Sequence, residues 1–310
     1  MRIIFMGTPE FALPSLKAVL ESRHELAAVV TQPDKPKGRG RRPSPSPVKE
    51  FCVENRLQVL TPDDLKSDEF AAEAKNLSPD LMVVVAFRIL PEKVFTIPSL
   101  GTINLHASLL PRYRGAAPIN WAIIRGETRT GLTTFFIRKK VDTGDVILQK
   151  EVEINPEETY GELSQRLSLV GSELLLETID LIDKGEVKPL PQSDVEATSA
   201  PKITPELCRI DWSKPAAEIR NLIRGLSPVP GAYTFYKGKL LKLFKAQVTD
   251  QTPHSEGFGE VISADKNKGL EVKTSKGILR ILEIQPQSKK KMKGDEFVRG
   301  YRIREGEKLG

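Results

Sequence analysis

Apolar residues recur along this chain in two rhythms, and the first half alternates between them. Residues 2–6 form a short apolar run ending at Gly7, and residues 9–20 place Phe11, Leu13, Leu16, Val19 and Leu20 at helical spacing. The pattern then predicts a strand over 26–30, a helix over 47–54, a short strand over 58–60 and a strand over 81–86. The last of these is continuously apolar, the composition of a strand buried on both faces. Strands alternating with helices predict an α/β domain on a parallel sheet, covered on both faces, with ligands at the carboxyl ends of its strands. The opening turn lacks the G-x-G-x-x-G spacing, so dinucleotide binding is not implied.

The rhythm becomes strict alternation in GTINLHASLLPRYRG, residues 101–115. Ile103 and Leu105 alternate with Thr102, Asn104 and His106, so this short strand delivers Asn104 and His106 to one side. A second strand-like run over 131–137 leads to the turn VDTGD, residues 141–145, which could set Asp142 beside them. These groups suit acyl transfer to an amine. Asn104 offers a neutral N–H donor to a developing oxyanion, His106 can give or take a proton near neutral pH, and Asp142 would orient the imidazole or a proton-carrying water. By themselves they leave the alternative open, because a single histidine after a strand is more often a packed structural residue.

The longest helical stretch is 159–183, where Leu163, Leu167, Val170, Leu174, Ile179 and Ile182 keep to one apolar face and Gly185 suits its end. Residues 190–204, rich in Pro, Ser and Thr, read as a linker between a domain over 1–189 and a second over 205–310. Within the second, a helix is predicted over 215–224. Short strands follow from 229 and over 240–248, 259–262, 270–274 and 278–285, a series that suits a compact barrel.

A chain of 310 residues is long for one core and comfortable for two domains. No apolar run reaches the roughly 18 residues of a membrane span, and MRIIFMGTPEF reads as a first strand and not as a signal peptide, so a cytoplasmic protein is expected. Cys52 and Cys208 stand far apart, outside any ligand motif, and with three histidines in all neither a metal centre nor a disulfide framework is expected. The net charge of +6 is uneven. Residues 201–310 hold 22 Lys and Arg against 13 Asp and Glu, whereas residues 1–200 hold 25 against 28. Such asymmetry points to a polyanionic partner for the second domain.

A further basic segment, DKPKGRGRRPSPSPVK over 34–49, carries Lys35, Lys37, Arg39, Arg41, Arg42 and Lys49 with no carboxylate after Asp34. It reads as a surface loop with too little apolar surface to bury, leaving the same sheet edge as the Asn104 and His106 strand, a placement that suits phosphate contacts. Lys289, Lys290, Lys291 and Lys293, with Arg299, Arg302 and Arg304, form another basic surface; charge runs are usually just solvated faces.

The run HASLLPRYRGAAP over 106–118, followed by VDTGD, closely resembles the folate-dependent formyltransferases, and MGTPEF over 6–11 with TQPDKPKGRG over 31–40 resembles the branch of that family acting on methionyl-tRNA. The match runs nearly end to end. The resemblance implies a Rossmann-like catalytic domain followed by an OB-like one, and formyl transfer from 10-formyltetrahydrofolate, without a metal, to the α-amine of methionyl initiator tRNA by a monomer. Asn104, His106 and Asp142 would be catalytic. Arg88, Ile89 and Leu90, with Ser108, Leu109, Leu110 and Pro111, would line the folate pocket. The loop over 38–42 would wedge into the tRNA acceptor end, which adds Lys35, Lys37, Arg39, Arg41 and Arg42 to Lys289, Lys290 and Lys291 as tRNA contacts.

Two segments depart from the methionyl-tRNA branch. Phe87-Arg88 stands where Tyr-Gly is commoner, closer to the glycinamide ribonucleotide formyltransferases, and Arg138-Lys139-Lys140 replaces an acidic or glycine-rich run. Formyl transfer to an amino sugar nucleotide would use the same three residues without the basic loop, and transfer to glycinamide ribonucleotide would need no second domain. An RNA-binding module without catalysis would not need Asn104, His106 and Asp142 together. No G-x-S-x-G elbow surrounds Ser108, which argues against a serine hydrolase.

Overall fold

The computed structural model describes residues 1–37, 42–267 and 269–310. In chain order its strands and helices are β1 (Arg2–Gly7), α1 (Leu13–Glu21), β2 (Glu25–Val30), β3 (Lys35–Lys37), β4 (Arg42–Ser44), α2 (Pro47–Glu54), β5 (Val59–Leu60), α3 (Asp68–Asn76), β6 (Leu81–Val85), α4 (Glu92–Phe95), β7 (Thr102–His106) and α5 (Pro118–Ile124). These are followed by β8 (Arg129–Phe136), β9 (Val146–Glu153), α6 (Tyr160–Lys184), α7 (Ala216–Gly225), β10 (Ala232–Tyr236), β11 (Lys239–Pro253), β12 (Val261–Asp265), β13 (Gly269–Lys273), β14 (Lys276–Pro286), β15 (Met292–Lys293) and α8 (Gly294–Tyr301). Two compact units emerge. The first comprises Met1–Ala116, Thr130–Glu153 and Ser164–Ala200, and the second comprises Ala117–Arg129, Ile154–Leu163 and Pro201–Gly310.

The first unit is built on a sheet in the order β5-β2-β1-β6-β7-β8-β9. Neighbours from β5 to β7 pair in parallel, as strands joined by helical crossovers must. Beyond this parallel part, β8 runs antiparallel to β7 and sets Thr133 opposite His106 and Phe135 opposite Asn104. All five residues of β6 are buried, as a central strand requires. Gly171 of α6 lies against Leu105 and Leu132; a Cβ there would come within 2.8 Å of a Leu105 methyl, so glycine lets the helix approach the strand that carries the candidate site.

Helix α3 has no clear periodic signature in the sequence. Its signal is local: the Ser67 hydroxyl accepts from the Phe70 amide at 3.1 Å, and Asp68 and Glu69 occupy the first turn. Helix α2 starts in the same way, with Ser46 accepting from the Lys49 amide. The segment expected as an unstructured loop contains the antiparallel pair β3–β4, in which Lys35 faces Ser44 and Lys37 faces Arg42. Backbone pairing needs no apolar core, so a polar, proline-rich segment can form a short hairpin.

The second unit centres on an antiparallel sheet in the order β10-β11-β14-β13-β12, with β15 added to β14. Strand β11 is 15 residues long, and its register against β14 shifts at four places, the bulges that let a long strand bend. The core gathers Trp212, Ile223, Leu243, Leu270, Ile281 and Phe297, and the Trp212 indole N–H donates to Thr234 at 3.1 Å. Trp121, by contrast, is only half-buried: its indole N–H reaches the Pro201 carbonyl at 2.8 Å, and Ile119, Ala122 and Ile123 are the core residues of α5. Helix α8, within the basic carboxy-terminal run, buries Phe297 and Val298.

Candidate functional site

Strand β7 ends at His106, whose ring is almost wholly buried and whose Nε2 lies 2.9 Å from the Tyr113 carbonyl oxygen. A carbonyl oxygen can only accept, so Nε2 carries a proton and donates it to Tyr113. The other ring nitrogen, Nδ1, faces the Asp142 carboxylate with 3.8 Å between Nδ1 and Oδ2. That separation is too long for a direct hydrogen bond. Asp142 is buried, and its Oδ2 accepts from the Gly115 amide at 2.8 Å. Asn104, two residues before His106 on the same strand face, is half-buried, and among the described residues no hydrogen bond engages its side-chain amide. The period-two pattern puts Asn104 and His106 on one side; the turn after β8 brings Asp142 to His106.

The turn that carries Asp142 is unusual in its backbone. Asp142 has φ of 55°, in the left-handed region. A Cβ on Gly144 would lie 1.6 Å from the Phe136 carbonyl oxygen, so only glycine fits two residues on. Gly115 has φ of 127° and also packs on backbone, where a Cβ would stand 2.6 Å from the Ala200 carbonyl oxygen.

Residues 190–200 are stitched along this site. Leu190 exchanges two backbone hydrogen bonds with Val146, of 2.8 and 2.9 Å. The Gln192 amide donates to the carbonyls of Asp142 and Gly144 at 3.0 and 2.7 Å, and its oxygen accepts from the Arg114 guanidinium. Thr198 and Ala200 bond to the backbone of residues 111–114. The sequence gives no sign of this arrangement. A proline- and serine-rich composition carries no mark of a partner fifty residues away along the chain.

The two segments expected to line a folate pocket differ in their commitments. Ser108 is fully buried, and its hydroxyl donates to the Arg112 carbonyl at 2.6 Å, which occupies the proton a nucleophilic serine would have to release. Leu110 is held from both sides, its amide donating to Thr133 at 3.1 Å and its carbonyl accepting from Gln149 at 2.8 Å. Leu109 and Pro111 are half-buried beside it. After β6, Leu90 is buried in the core whereas Ile89 is 74% exposed, so an apolar side chain stands open there. Arg88 reaches back to the carbonyls of Pro62 and Asp63, at 2.7 and 3.0 Å. Its side chain thus braces the loop after β5.

Several cations turn out to be paired. Arg138 bonds Asp145 at 2.5 Å, Lys139 lies 3.5 Å from Glu92, and Lys140 lies 3.4 Å from Asp194, so each of the three basic residues before the turn has a carboxylate beside it. Arg114 is turned inward to Gln192 and Asp194. Its hydrogen bond, with Lys140 close by, holds the Asp194 carboxyl below the usual range. Lys49 bonds Asp34 at 2.7 Å. Lys35, Lys289 and Lys290 are exposed, and Lys291 pairs with Glu283 while lying over the Phe244 ring. Lys37 and Arg42 take part in the hairpin through their backbones, and Arg39 and Arg41 lie outside the described residues. Both thiols are buried, and burial pushes Cys52 up to about 11 and raises Cys208, so neither is an activated nucleophile.

Against this geometry the similarities to known proteins are extensive. Residues 1–179 match the family model for formyl transferase, and residues 202–302 match that for the formyl transferase C-terminal domain. The methionyl-tRNA formyltransferase of Caldanaerobacter subterraneus subsp. tengcongensis is 49% identical over 308 residues, covering 99% of both chains. That of Acetivibrio thermocellus is 46% identical over 311 residues, covering both chains in full. Among solved structures, HypX from Aquifex aeolicus in complex with tetrahydrofolic acid shares the fold, with a TM-score of 0.63 at 21% identity over 96% of this chain and 47% of its own. Matched by both family models and sharing nearly half its residues with relatives along its whole length, the chain belongs to the formyl transferase family, among the methionyl-tRNA formyltransferases.

Proposed function

We propose that this protein transfers a formyl group from 10-formyltetrahydrofolate to the α-amine of methionyl initiator tRNA, giving formylmethionyl-tRNA for translation initiation. The observation that carries the reading is the meeting of His106 Nδ1 and Asp142 Oδ2, 3.8 Å apart, on the strand that also presents Asn104. Relatives of nearly half identity named for this reaction supply the substrate pair.

The folate supplies an activated one-carbon unit when bound. The residues present fit such a group: Asn104 offers an uncommitted amide, and Ile89 offers an exposed apolar side chain suited to a flat ring. Arg88, Ile89 and Leu90 would border the pocket on one side and Ser108, Leu109, Leu110 and Pro111 on the other. The hydrogen bonds of Arg88 and Ser108 mean that these two act by shaping their segments.

Attack by an amine places negative charge on the formyl oxygen and positive charge on the nitrogen. Asn104 donates to that oxygen; one such preorganised donor contributes about 3 kcal/mol in a transition state. Because the Nε2 proton of His106 is given to Tyr113, the imidazole can offer a donor to the oxygen only through a protonated Nδ1, and Asp142 faces that nitrogen to balance its charge. Asp142 would also hold a water able to carry the proton lost by the attacking nitrogen to the departing nitrogen of the folate. No covalent intermediate with the chain is required.

Lys35, Lys37, Arg39, Arg41 and Arg42 would meet the tRNA backbone near the site, and Lys289, Lys290 and Lys291 would do so on the second domain. The reading includes a catalytic domain over 1–189, a linker over 190–204 and a tRNA-binding domain over 205–310. The reading takes the protein as a monomer, and the reaction belongs in the cytoplasm with the initiator tRNA.

The test is a parallel transfer assay in which the protein receives labelled 10-formyltetrahydrofolate with methionyl initiator tRNA, free methionine, glycinamide ribonucleotide or an amino sugar nucleotide. Label on the charged tRNA alone is expected. Label on a small molecule would keep Asn104, His106 and Asp142 and overturn the RNA substrate.

A further inference from the structure

We infer that Gln192, on the segment after α6, is a positioning residue that holds the Asp142 carboxylate in place for transfer. The inference rests on the catalytic role proposed above for Asp142.

Asp142 needs such support. A non-glycine residue in the left-handed region is uncommon, and even aspartate, which tolerates it better than most, relies on local hydrogen bonds to hold it there. With φ of 55°, Asp142 is such a residue, and it sits in the turn that must present its carboxylate to His106. Gln192 answers the turn's two inward carbonyls with the two hydrogens of one amide: Nε2 donates to Asp142 at 3.0 Å and to Gly144 at 2.7 Å. The orientation of that amide is unambiguous. Its oxygen faces Arg114, whose Nε and Nη2 lie 3.1 and 2.8 Å away, and a guanidinium only donates whereas carbonyls only accept.

Arg114 closes the circuit. Its own nitrogen Nη1 is anchored 2.6 Å from Asp194, and the next residue, Gly115, donates its amide to Asp142 Oδ2 at 2.8 Å. The carboxylate of Asp142 and its main chain are therefore both tied to residues 114–115, one directly and one through Gln192. Gln192 is in turn pinned by the paired backbone bonds between Leu190 and Val146, four residues beyond Asp142. A side chain that only filled space would not need its donors and its acceptor assigned to different partners.

The two halves of the amide separate by substitution. Gln192→Glu keeps an acceptor for Arg114 and loses both donors to the turn; Gln192→Met keeps the length and loses all polar contacts. Both are made in the full-length protein, alone and with Asp142→Asn, and steady-state formylation of methionyl initiator tRNA is measured beside denaturant unfolding. Each single change should lower kcat by about 10- to 100-fold, the scale of a small misplacement in a site, with KM for either substrate held within about 2-fold. In the Asp142→Asn background the added loss should shrink below about 2-fold, because groups acting as a unit are not additive.

Parental kcat in Gln192→Glu, or an undiminished loss in the Asp142→Asn background, overturns the inference. Should Gln192→Met fail to fold, Gln192→Glu decides alone. Parental turnover in Asp142→Asn itself would overturn the catalytic reading of Asp142, and this inference with it, whereas loss in Asp142→Asn beside parental Gln192→Glu refutes only the brace.

Discussion

The amide of Gly115 donates to the carboxylate of Asp142 across 2.8 Å, joining the loop after β7 to the turn after β8. Because Gly115 has φ of 127° and its Cα hydrogen faces the Ala200 carbonyl, the bond depends on a glycine.

Replacing Gly115 with alanine should therefore displace that loop. The added carbon would stand 2.6 Å from the Ala200 carbonyl oxygen, in a conformation that alanine disfavours. A loss of about 1–3 kcal/mol in unfolding free energy is expected, together with reduced turnover. Urea unfolding compared with formylation rate checks both, and parental values in each would mean that the loop yields freely.

His106→Ala should remove most of the turnover, by about 100- to 10,000-fold, the range of a positioned acid–base group. Affinity for tRNA should stay close to parental, since the imidazole is buried and engaged with Tyr113. Binding of labelled tRNA beside single-turnover formylation separates the two, and a large fall in affinity would make His106 a structural residue.

Arg39, Arg41 and Arg42 replaced together should weaken tRNA binding and flatten its dependence on salt, the slope falling by about 0.7–0.9 for each phosphate that is no longer neutralised. The comparison is a titration at several salt concentrations. Unchanged slopes would remove these three arginines from the interface.

In the second unit, Glu307 accepts from the Lys237 ammonium at 2.8 Å, from the Arg304 amide at 2.8 Å and from the Tyr236 hydroxyl at 2.9 Å. The ammonium above all, and then the amide, hold its carboxyl down to about 2, against an ordinary 4.5. A group with a depressed folded-state value contributes stability that is complete above its unfolded value and is lost as the pH falls through its folded one. Stability should thus decline between pH 4.5 and about 2 as Glu307 takes up its proton, and Glu307→Gln should show a shallower decline over that interval in chemical unfolding.

Much of this was open to reading along the chain because its causes are local. Period-two alternation puts Asn104 and His106 on one strand face whatever surrounds them, and the continuous apolar run in β6 had to be a buried strand. Gly185, with φ of 69°, ends α6 where a left-handed residue is expected. The uneven charge and the long runs around His106 and Asp142 carry the chemistry and its partner class in the sequence itself.

What only the tertiary structure decided involves pairs distant in sequence. Composition marks Arg114, Lys140 and Arg138 simply as cations; folding turned the first inward, set it and Lys140 on the shared carboxylate of Asp194, and paired Arg138 with Asp145. Trp121 looks like a core residue by its bulk, yet it lies half-buried with its indole on a carbonyl. Residues 190–204 read as a linker because proline and serine resist regular structure, but a segment without helix or strand can still commit its polar groups to a distant turn. The bond from Gln192 to Asp142 spans fifty positions of chain and depends on a backbone angle that no side-chain pattern encodes. Periodicity reports what neighbours along the chain do together; the closure of a site depends on which carbonyls the fold leaves facing inward and which donor arrives to meet them.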